Sequence, residues 1–149
     1  MKSERRFLDI LPQAALAVML AAFCFALYTQ LHETIVNPGD RAPNFSVTAD
    51  NGRTVTAKDF GGKLLLVNFW ATWCPPCVDE IPGLNEMYRQ LGPKGLVIVA
   101  ISQDIQLSYG TIQIPESYLI DRNGRVIEKY ISSQPWASPQ MIEHVSSLL

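Results

Sequence analysis

Residues 64–77 read LLLVNFWATWCPPC, and this stretch decides how the rest of the chain is interpreted. Its first seven residues, 64–70, are almost entirely apolar, which is typical of a strand that is covered on both faces. Cys74 and Cys77 follow, with two residues between them. Beyond them, apolar residues recur at spacings of four and three up to Leu91, which indicates one face of a helix. The stretch therefore predicts a buried strand, a cysteine pair and a helix in that order.

A second apolar run, LVIVAI, follows the predicted helix at residues 96–101. Gly92 and Pro93 end the helix before it. A strand, a helix and a second strand of this kind form a right-handed crossover in which the two strands are parallel. The centre of the chain is thus predicted to be a parallel pair of strands with a helix packed across it.

Two hairpins are predicted outside this central unit. The strand-like segments are 45–48 with 53–56 around Asp50-Asn51-Gly52, and 118–120 with 126–131 around residues 121–124. Turn sequences of this type between such segments are strong hairpin signals. Ser138 followed by Pro139 predicts the start of a final helix. The predicted fold class is α/β, a mixed sheet covered by helices.

The composition limits the classes of protein to which the chain can belong. A length of 149 residues allows one domain of ordinary size. With 48% hydrophobic and 17% charged residues, the chain is not disordered as a whole. The net charge of −2 gives no electrostatic case for nucleic acid binding, for which a basic face is expected.

The N-terminus reads as a membrane anchor. Lys2, Arg5 and Arg6 precede an apolar stretch over residues 10–28. Nineteen helical residues span about 28 Å, close to the ~30 Å hydrocarbon core of a bilayer. Because the basic residues lie on the N-terminal side, we expect that end in the cytoplasm and the rest of the chain exported.

These features divide the chain into four parts. We expect a basic cytoplasmic N-terminus at 1–9, a transmembrane signal-anchor at 10–30, a linker at 31–37 and a domain at 38–149. A cleaved signal peptide is the alternative. Cleavage requires small residues, and the bulky Leu27 and Tyr28 stand where they would be needed.

The cysteines point to redox chemistry. The three cysteines, Cys24, Cys74 and Cys77, are too few for a disulfide-stabilised mini-protein. A zinc site needs about four ligands, and neither His32 nor His144 stands in a ligand-like cluster. A structural disulfide that closes so short a loop stabilises little. We therefore predict a redox pair, with no metal and no cofactor.

The position of the pair assigns different roles to its members. Backbone N–H groups and the helix dipole stabilise a thiolate at a helix N-terminus. Cys74, just outside the helix, is expected to be the exposed thiol with a low pKa. Cys77, one turn inside, is expected to be shielded and to react second.

The run at 67–77 resembles the active-site segment of the thioredoxin superfamily. More closely, it is similar to the membrane-anchored TlpA/ResA/CcmG-type thiol-disulfide oxidoreductases of bacteria. Residues 39–45 (GDRAPNF) match the entry to that family's N-terminal hairpin, and residues 110–121 (GTIQIPESYLID) match its cis-proline strand. The resemblance implies a thioredoxin-like mixed sheet covered by helices, with an N-terminal β-hairpin.

The resemblance also implies a function. Such proteins are disulfide reductases of the bacterial cell envelope, often in cytochrome c maturation or a related pathway. The implied partners are disulfide-containing client proteins, such as apocytochrome c, and a membrane-embedded thiol carrier as the electron donor. The implied location is the inner membrane, with the catalytic domain facing the periplasm or extracytoplasmic space.

Further site residues follow from the same resemblance. The supporting residues are Trp73, Pro75, Pro76, Glu80, Ile114, Pro115 and Glu116. A cis Ile114–Pro115 bond is expected against Cys74, with the Ile114 backbone pairing with the client chain. Pro76 helps to set the redox potential, and Trp73 is expected to form a flat contact surface.

Two acidic residues complete the predicted site. Glu80 is expected beside the thiols, where it can exchange protons with Cys77 or raise thiol pKa values. Asn68 stands where thioredoxin has a buried acid, and an amide cannot act as a base, so Glu80 gains importance. Glu116 follows Pro115 and is expected to line the same surface.

The chain departs from the family pattern in one place, a shortened connection around residues 103–113. Family members carry a further helix and strand after the second apolar strand. Here only residues 105–109 separate Asp104 from Gly110. The deletion removes a surface beside the site, and with it a determinant of substrate identity.

Other functions compete with the redox interpretation. A peroxiredoxin needs the pattern Pro-x-x-x-Thr-x-x-Cys, but Asn68 and Pro75 occupy its first and last positions around Thr72. A truncated, inactive paralogue and a module that binds metal or clients through the two thiols are the remaining alternatives.

Overall fold

The computed structural model describes residues 15–28, 35–49, 51–102, 109–111 and 113–149. The chain divides into an N-terminal unit, Met1–Glu33, and a second unit, Thr34–Leu149. In the first unit, residues 15–28 form helix α1, whose side chains are exposed. Within the described ranges, no helix has both the length and the apolar character needed to cross a bilayer. The predicted anchor at 10–30 lies partly outside these ranges.

The second unit is built on a mixed four-stranded sheet. Its elements are β1 (Ser46–Thr48), β2 (Thr54–Thr56), β3 (Leu64–Trp70), α2 (Pro75–Leu91), β4 (Leu96–Ser102), β5 (Glu116–Ile120), β6 (Val126–Ile131) and α3 (Pro139–Ser147). The strand order is β4-β3-β5-β6, and β1 and β2 form a separate two-stranded sheet. Strand β3 pairs parallel with β4 and antiparallel with β5. The predicted crossover and both predicted hairpins are therefore confirmed.

The two faces of the sheet have separate cores, because successive side chains of a strand point to opposite faces. The helix face carries Leu64 and Leu66 of β3, the apolar side of α2, and Val145 of α3. The opposite face carries Phe69, Tyr118, Tyr109 and Phe45. Both core faces of β3 are thus covered, as its apolar sequence predicts.

Local sequence signals place the ends of the helices. Helix α2 begins after Cys74 with two prolines, which lose nothing there because the first N–H groups of a helix have no internal partner. It ends at Gly92, as predicted. Helix α3 begins after Ser138, whose side chain accepts a hydrogen bond from the N–H of Met141 (3.2 Å). The predicted shortened connection falls largely on residues outside the described ranges.

Candidate active site

Cys74 and Cys77 form a disulfide at the junction of β3 and α2. Cys74 has extended backbone (φ −101°, ψ 100°) and caps the helix N-terminus, and Cys77 lies in the first turn. The N–H of Cys77 donates to the carbonyl of Cys74 (3.1 Å), which ties the two residues together. The pair therefore occupies the predicted position, where the positive end of the helix dipole favours a thiolate.

The disulfide is more deeply buried than the sequence indicates. Cys74 keeps 5% of its surface exposed and Cys77 keeps none. Ala71 is buried with the two cysteines, and Trp70 and Ile114 pack against them. Cys74 is the more accessible sulfur, as expected, but it is far less open than its position outside the helix suggests, because distant residues cover it.

A cis peptide bond joins Ile114 and Pro115, as predicted. The carbonyl oxygen of Ile114 lies 3.8 Å from the Cys74 sulfur. Pro115 is buried, and its own carbonyl accepts a hydrogen bond from the N–H of Ser132 (2.9 Å). The start of β5 is therefore held directly against the disulfide.

The rim of the site is formed by residues of the cysteine motif. Trp73 is 71% exposed, and Pro75 and Pro76 are exposed as well. These three side chains present a rigid surface with few rotatable bonds next to Cys74. The expected role of Trp73 as a contact surface stays a prediction.

Glu80 is a buried carboxylate that is held by three donors. It is 4% exposed. The Asn68 amide donates to Oε1 (2.7 Å), and the indole N–H of Trp136 and the backbone N–H of Gln134 donate to Oε2 (3.0 and 3.3 Å). Residues three apart share a helix face, so Glu80 lies on the side of α2 that carries Cys77. No cation is among these donors, so the carboxylate is held by neutral groups.

Asn68 connects this carboxylate to the sheet. Its amide group also donates to the hydroxyl of Ser117 on β5 (2.9 Å). Asn68 and Ser117 are partners in the β3–β5 register. The neutral amide of Asn68 therefore orients the Glu80 carboxylate and does not itself serve as an acid.

Glu116 lies on the other face of the sheet. Its carboxylate is 3% exposed and pairs with the ammonium group of Lys129 on β6 (2.9 Å). Its Oε2 has no hydrogen-bond partner within the described part of the chain. Because the side chain is buried, Glu116 does not line an open surface in this structure. The register places it opposite Phe69, next to the core and away from Glu80.

The ion pair sits in an aromatic environment. The Lys129 ammonium lies 5.1 Å from the centre of the Tyr118 ring. Burial opposes the charged form of Lys129, but the Glu116 carboxylate and the Tyr118 hydroxyl outweigh it and raise the pKa of this lysine. Burial likewise raises the pKa of Tyr118. The protonated forms of Lys129 and Tyr118 are thus favoured.

Sequence reasoning missed the residues that hold the two acids. Trp136 and Gln134 belong to the segment after β6, which we name the Trp136 loop (residues 132–136), and Lys129 belongs to β6. Gln134 and Trp136 lie more than 50 residues along the chain from Glu80. Lys129 contacts Glu116 from the neighbouring strand. No local pattern in the sequence marks these partners.

Metal ligands are not grouped in the described ranges: no cluster of three or more His, Cys, Asp or Glu side chains occurs among those residues. A pair of cysteines at a strand–helix junction, facing a cis-proline, defines a thioredoxin-like dithiol–disulfide protein.

Comparison with known proteins agrees with this class. The sequence model of the AhpC/TSA family matches residues 38–135. The thiol-disulfide oxidoreductase ResA of Bacillus thuringiensis subsp. konkukian is 34% identical over 147 residues, which cover 80% of this chain and 85% of the relative. ResA of Geobacillus kaustophilus is 30% identical over 176 residues, with 99% of each chain covered.

The fold has close counterparts among solved structures. A protein of Chlorobium tepidum assigned as thiol:disulfide interchange protein DsbE superposes with a TM-score of 0.68 at 26% identity, over 76% of this chain and 98% of that one. The chain belongs to the AhpC/TSA family, within the thioredoxin fold, and is similar to its ResA members. It is a thiol-disulfide oxidoreductase with a CxxC pair.

Proposed function

We propose that this protein reduces disulfides of exported client proteins. The Cys74 thiolate attacks one client sulfur, forms a mixed disulfide and releases the other client sulfur as a thiolate. The Cys77 thiolate then attacks Cys74, releases the second client thiol and leaves the Cys74–Cys77 disulfide. A separate dithiol donor returns two electrons to restore the pair. The observation that carries this proposal is the disulfide at a helix N-terminus against Ile114.

The proposed order of attack follows from access and charge. Cys74 is the helix cap and the more exposed sulfur, whereas Cys77 is enclosed. A client disulfide therefore meets Cys74 first. The enclosed Cys77 has one close target, the sulfur of Cys74, which suits it to the second step.

Glu80 is proposed as the proton partner of Cys77. Neutral donors hold its carboxylate on the Cys77 side of α2. A thiol must lose its proton before it attacks, and a nearby carboxylate can accept that proton. The same negative charge opposes thiolate formation at both cysteines, so it also raises the pH at which they react.

Supporting residues are proposed to hold the client and the cis-proline. The Ile114 backbone is positioned to pair with an extended client segment, and Trp73 with Pro75 and Pro76 offers a flat contact. Glu116 supports the site through its ion pair with Lys129, which fixes the first residue of β5 directly after Pro115.

The cellular setting is a further part of the proposal. The basic N-terminus and the apolar stretch over residues 10–28 support a single-pass anchor in the bacterial inner membrane, with residues 38–149 outside the cytoplasm. Clients of cytochrome c maturation, such as apocytochrome c, and a membrane-embedded thiol donor fit that location.

Disulfide reduction by the full-length chain tests the proposed activity. The reduced protein in detergent is mixed with insulin, and thiols released from insulin are counted against Cys74→Ser and Cys77→Ser variants. We expect the unchanged chain to release thiols from insulin. In either variant we expect no more thiol than the formation of one mixed disulfide per protein releases. Absence of release, with metal bound stoichiometrically by the reduced thiols, would favour the metal-binding alternative. Absence of both would favour an inactive paralogue.

A reporter fusion tests the proposed topology. A reporter that is active only outside the cytoplasm, joined after Leu149, is expected to give a signal. A silent reporter on a stable full-length fusion would place the domain in the cytoplasm.

A further inference from the structure

The Trp136 loop contacts two parts of the site at once. The N–H of Ser132 donates to the carbonyl of Pro115 (2.9 Å). The N–H of Gln134 and the indole N–H of Trp136 both donate to Oε2 of Glu80 (3.3 and 3.0 Å). One short loop therefore links the cis-proline, which faces Cys74, with the carboxylate on the Cys77 side.

Two unfavourable backbone features accompany the packing of this loop, a glycine inside α2 and a left-handed residue in the loop. Trp136 is 1% exposed and packs edge-to-face on Tyr130, with ring centres 5.1 Å apart. A Cβ on Gly83 of α2 would lie only 3.3 Å from the Cβ of Trp136. A glycine inside a helix is less favourable than alanine. Ser132 has a left-handed backbone (φ +73°), which is unfavourable for a residue other than glycine.

The packing of Trp136 and the hydrogen bonds of its loop together determine where the Glu80 carboxylate lies. We infer that Trp136 is a positioning residue for Glu80. Its indole N–H fixes Oε2 while Asn68 fixes Oε1, so the carboxylate is held in a single orientation on the side of α2 that carries Cys77. This inference rests on the role of Glu80 proposed above. The indole donor acts on the chemistry only through that carboxylate.

The step affected is the release of the client. The proton of the Cys77 thiol passes to the Glu80 carboxylate, and the Cys77 sulfur then forms a bond with Cys74 while the Cys74–client bond breaks. The leaving client sulfur departs as a thiolate. Without the indole donor, Oε2 keeps only the hydrogen bond from the N–H of Gln134 among the described residues, and the carboxylate is less well oriented.

The test substitutes Trp136 in the full-length protein. Trp136→Phe keeps the aromatic packing and removes the N–H. The rate of alkylation by iodoacetamide is followed against pH, and resolution is followed after Cys74 is loaded with a single-cysteine peptide. We expect the midpoint of the thiol titration to fall by about 0.5 pH unit, in the direction of Glu80→Gln but by less. We expect resolution to slow on the order of 10-fold, since small displacements of a reacting group are costly.

Tyr130→Phe is the matched control. It removes a polar hydrogen from an aromatic ring in the same packing cluster, where the Tyr130 hydroxyl donates to Glu128 and not to Glu80. We expect its titration and resolution rate to match those of the unchanged chain. Equal shifts in Tyr130→Phe and Trp136→Phe would mean that packing alone is responsible, which overturns the inference.

A double-mutant cycle separates this inference from the proposed function. In a Glu80→Gln background, Trp136→Phe is expected to change nothing further, because its route to the thiols is gone. If Glu80→Gln shifts the titration and Trp136→Phe does not, the positioning role fails and the role of Glu80 stands. If Glu80→Gln has no effect, both fail.

A second variant keeps the inference testable if Trp136→Phe does not fold. Gly83→Ala raises the intrinsic helix propensity but pushes on the Cβ of Trp136. We expect it to retain a cooperative unfolding transition and to slow resolution in the same direction as Trp136→Phe. Unchanged resolution in Gly83→Ala would show that the placement of Trp136 does not matter for the chemistry.

Discussion

Glu80 and Glu116 are two buried carboxylates on opposite faces of the same sheet, and their surroundings differ. Glu80 lies on the helix face of the sheet, where three neutral N–H groups satisfy both of its oxygens. Glu116 lies on the opposite face, where Lys129 neutralises its charge and Oε2 lacks a hydrogen bond within the described residues. The two side chains are almost equally buried.

The difference shows how environment separates the roles of two acids. No cation in the described ranges is paired with the Glu80 carboxylate, so a charge there would act on nearby thiols without compensation. A carboxylate paired with a lysine contributes little net charge and ties two strands together. The difference supports the proposed roles, which are proton transfer for Glu80 and support of the cis-proline strand for Glu116.

The largest expected effect comes from breaking the ion pair. Lys129→Met removes the cation and leaves the buried Glu116 charge without a partner. Loss of one partner of a buried pair costs about 3–5 kcal/mol in free energy of unfolding. Urea unfolding of the oxidised full-length protein in detergent measures the loss.

The double variant Lys129→Met/Glu116→Gln is the control for this prediction. It removes both charges, so most of the lost stability is expected to return. A Lys129→Met protein as stable as the unchanged chain would show that Glu116 is not held by this pair.

A smaller effect on stability, but a larger one on chemistry, is expected for Glu80→Gln. The amide keeps the shape and removes the charge, so the midpoint of the thiol titration should fall by about 1 pH unit because like-charge repulsion is lost. Resolution of a mixed disulfide should slow as the proton acceptor disappears. Alkylation rates against pH measure the first effect, and they report the thiols and the acid as a coupled set. Unchanged titration and resolution would make Glu80 a structural residue only.

The smallest expected effect is a loss of stability at alkaline pH, caused by deprotonation of Lys129 in its ion pair with Glu116. The pKa of Lys129 is raised in the folded state by its carboxylate partner, despite the opposing effect of burial. Its contribution to stability is therefore complete below about pH 10.5 and disappears as the pH rises through the folded-state pKa. Burial raises the pKa of Tyr118 as well, which acts in the same direction.

Urea midpoints of the oxidised protein between pH 8 and pH 11 check this prediction, since cysteines in a disulfide do not titrate. We expect the midpoint to fall over this range, and to fall less in Lys129→Met/Glu116→Gln. An equal fall in both proteins would assign the effect to groups other than the ion pair.

Local patterns in the sequence were sufficient to predict the framework of the second unit. The apolar run of β3, the turn signal between β1 and β2 and the Ser138 cap each act over a few residues. Strand β3, the pairing of β1 with β2 and the cap are found where they were predicted. The cis bond before Pro115 was predicted from the family resemblance alone.

The network around Glu80 was beyond the reach of such patterns. Asn68, Gln134 and Trp136 lie 12, 54 and 56 residues from Glu80 along the chain, so their convergence depends on the completed fold. The burial of Cys74 was missed for the same reason, because Ile114 covers it from 40 residues away. Chemistry that depends on these contacts requires the three-dimensional structure.

The central claim is that Cys74 attacks first and Cys77 resolves, and one trapping experiment tests it directly. Full-length Cys77→Ser and Cys74→Ser proteins, each reduced, are mixed with a disulfide-containing client and quenched with acid. We expect a stable mixed disulfide through Cys74 in Cys77→Ser and little or none in Cys74→Ser, measured by mass spectrometry of the linked peptides. A mixed disulfide that forms faster through Cys77 would contradict the account.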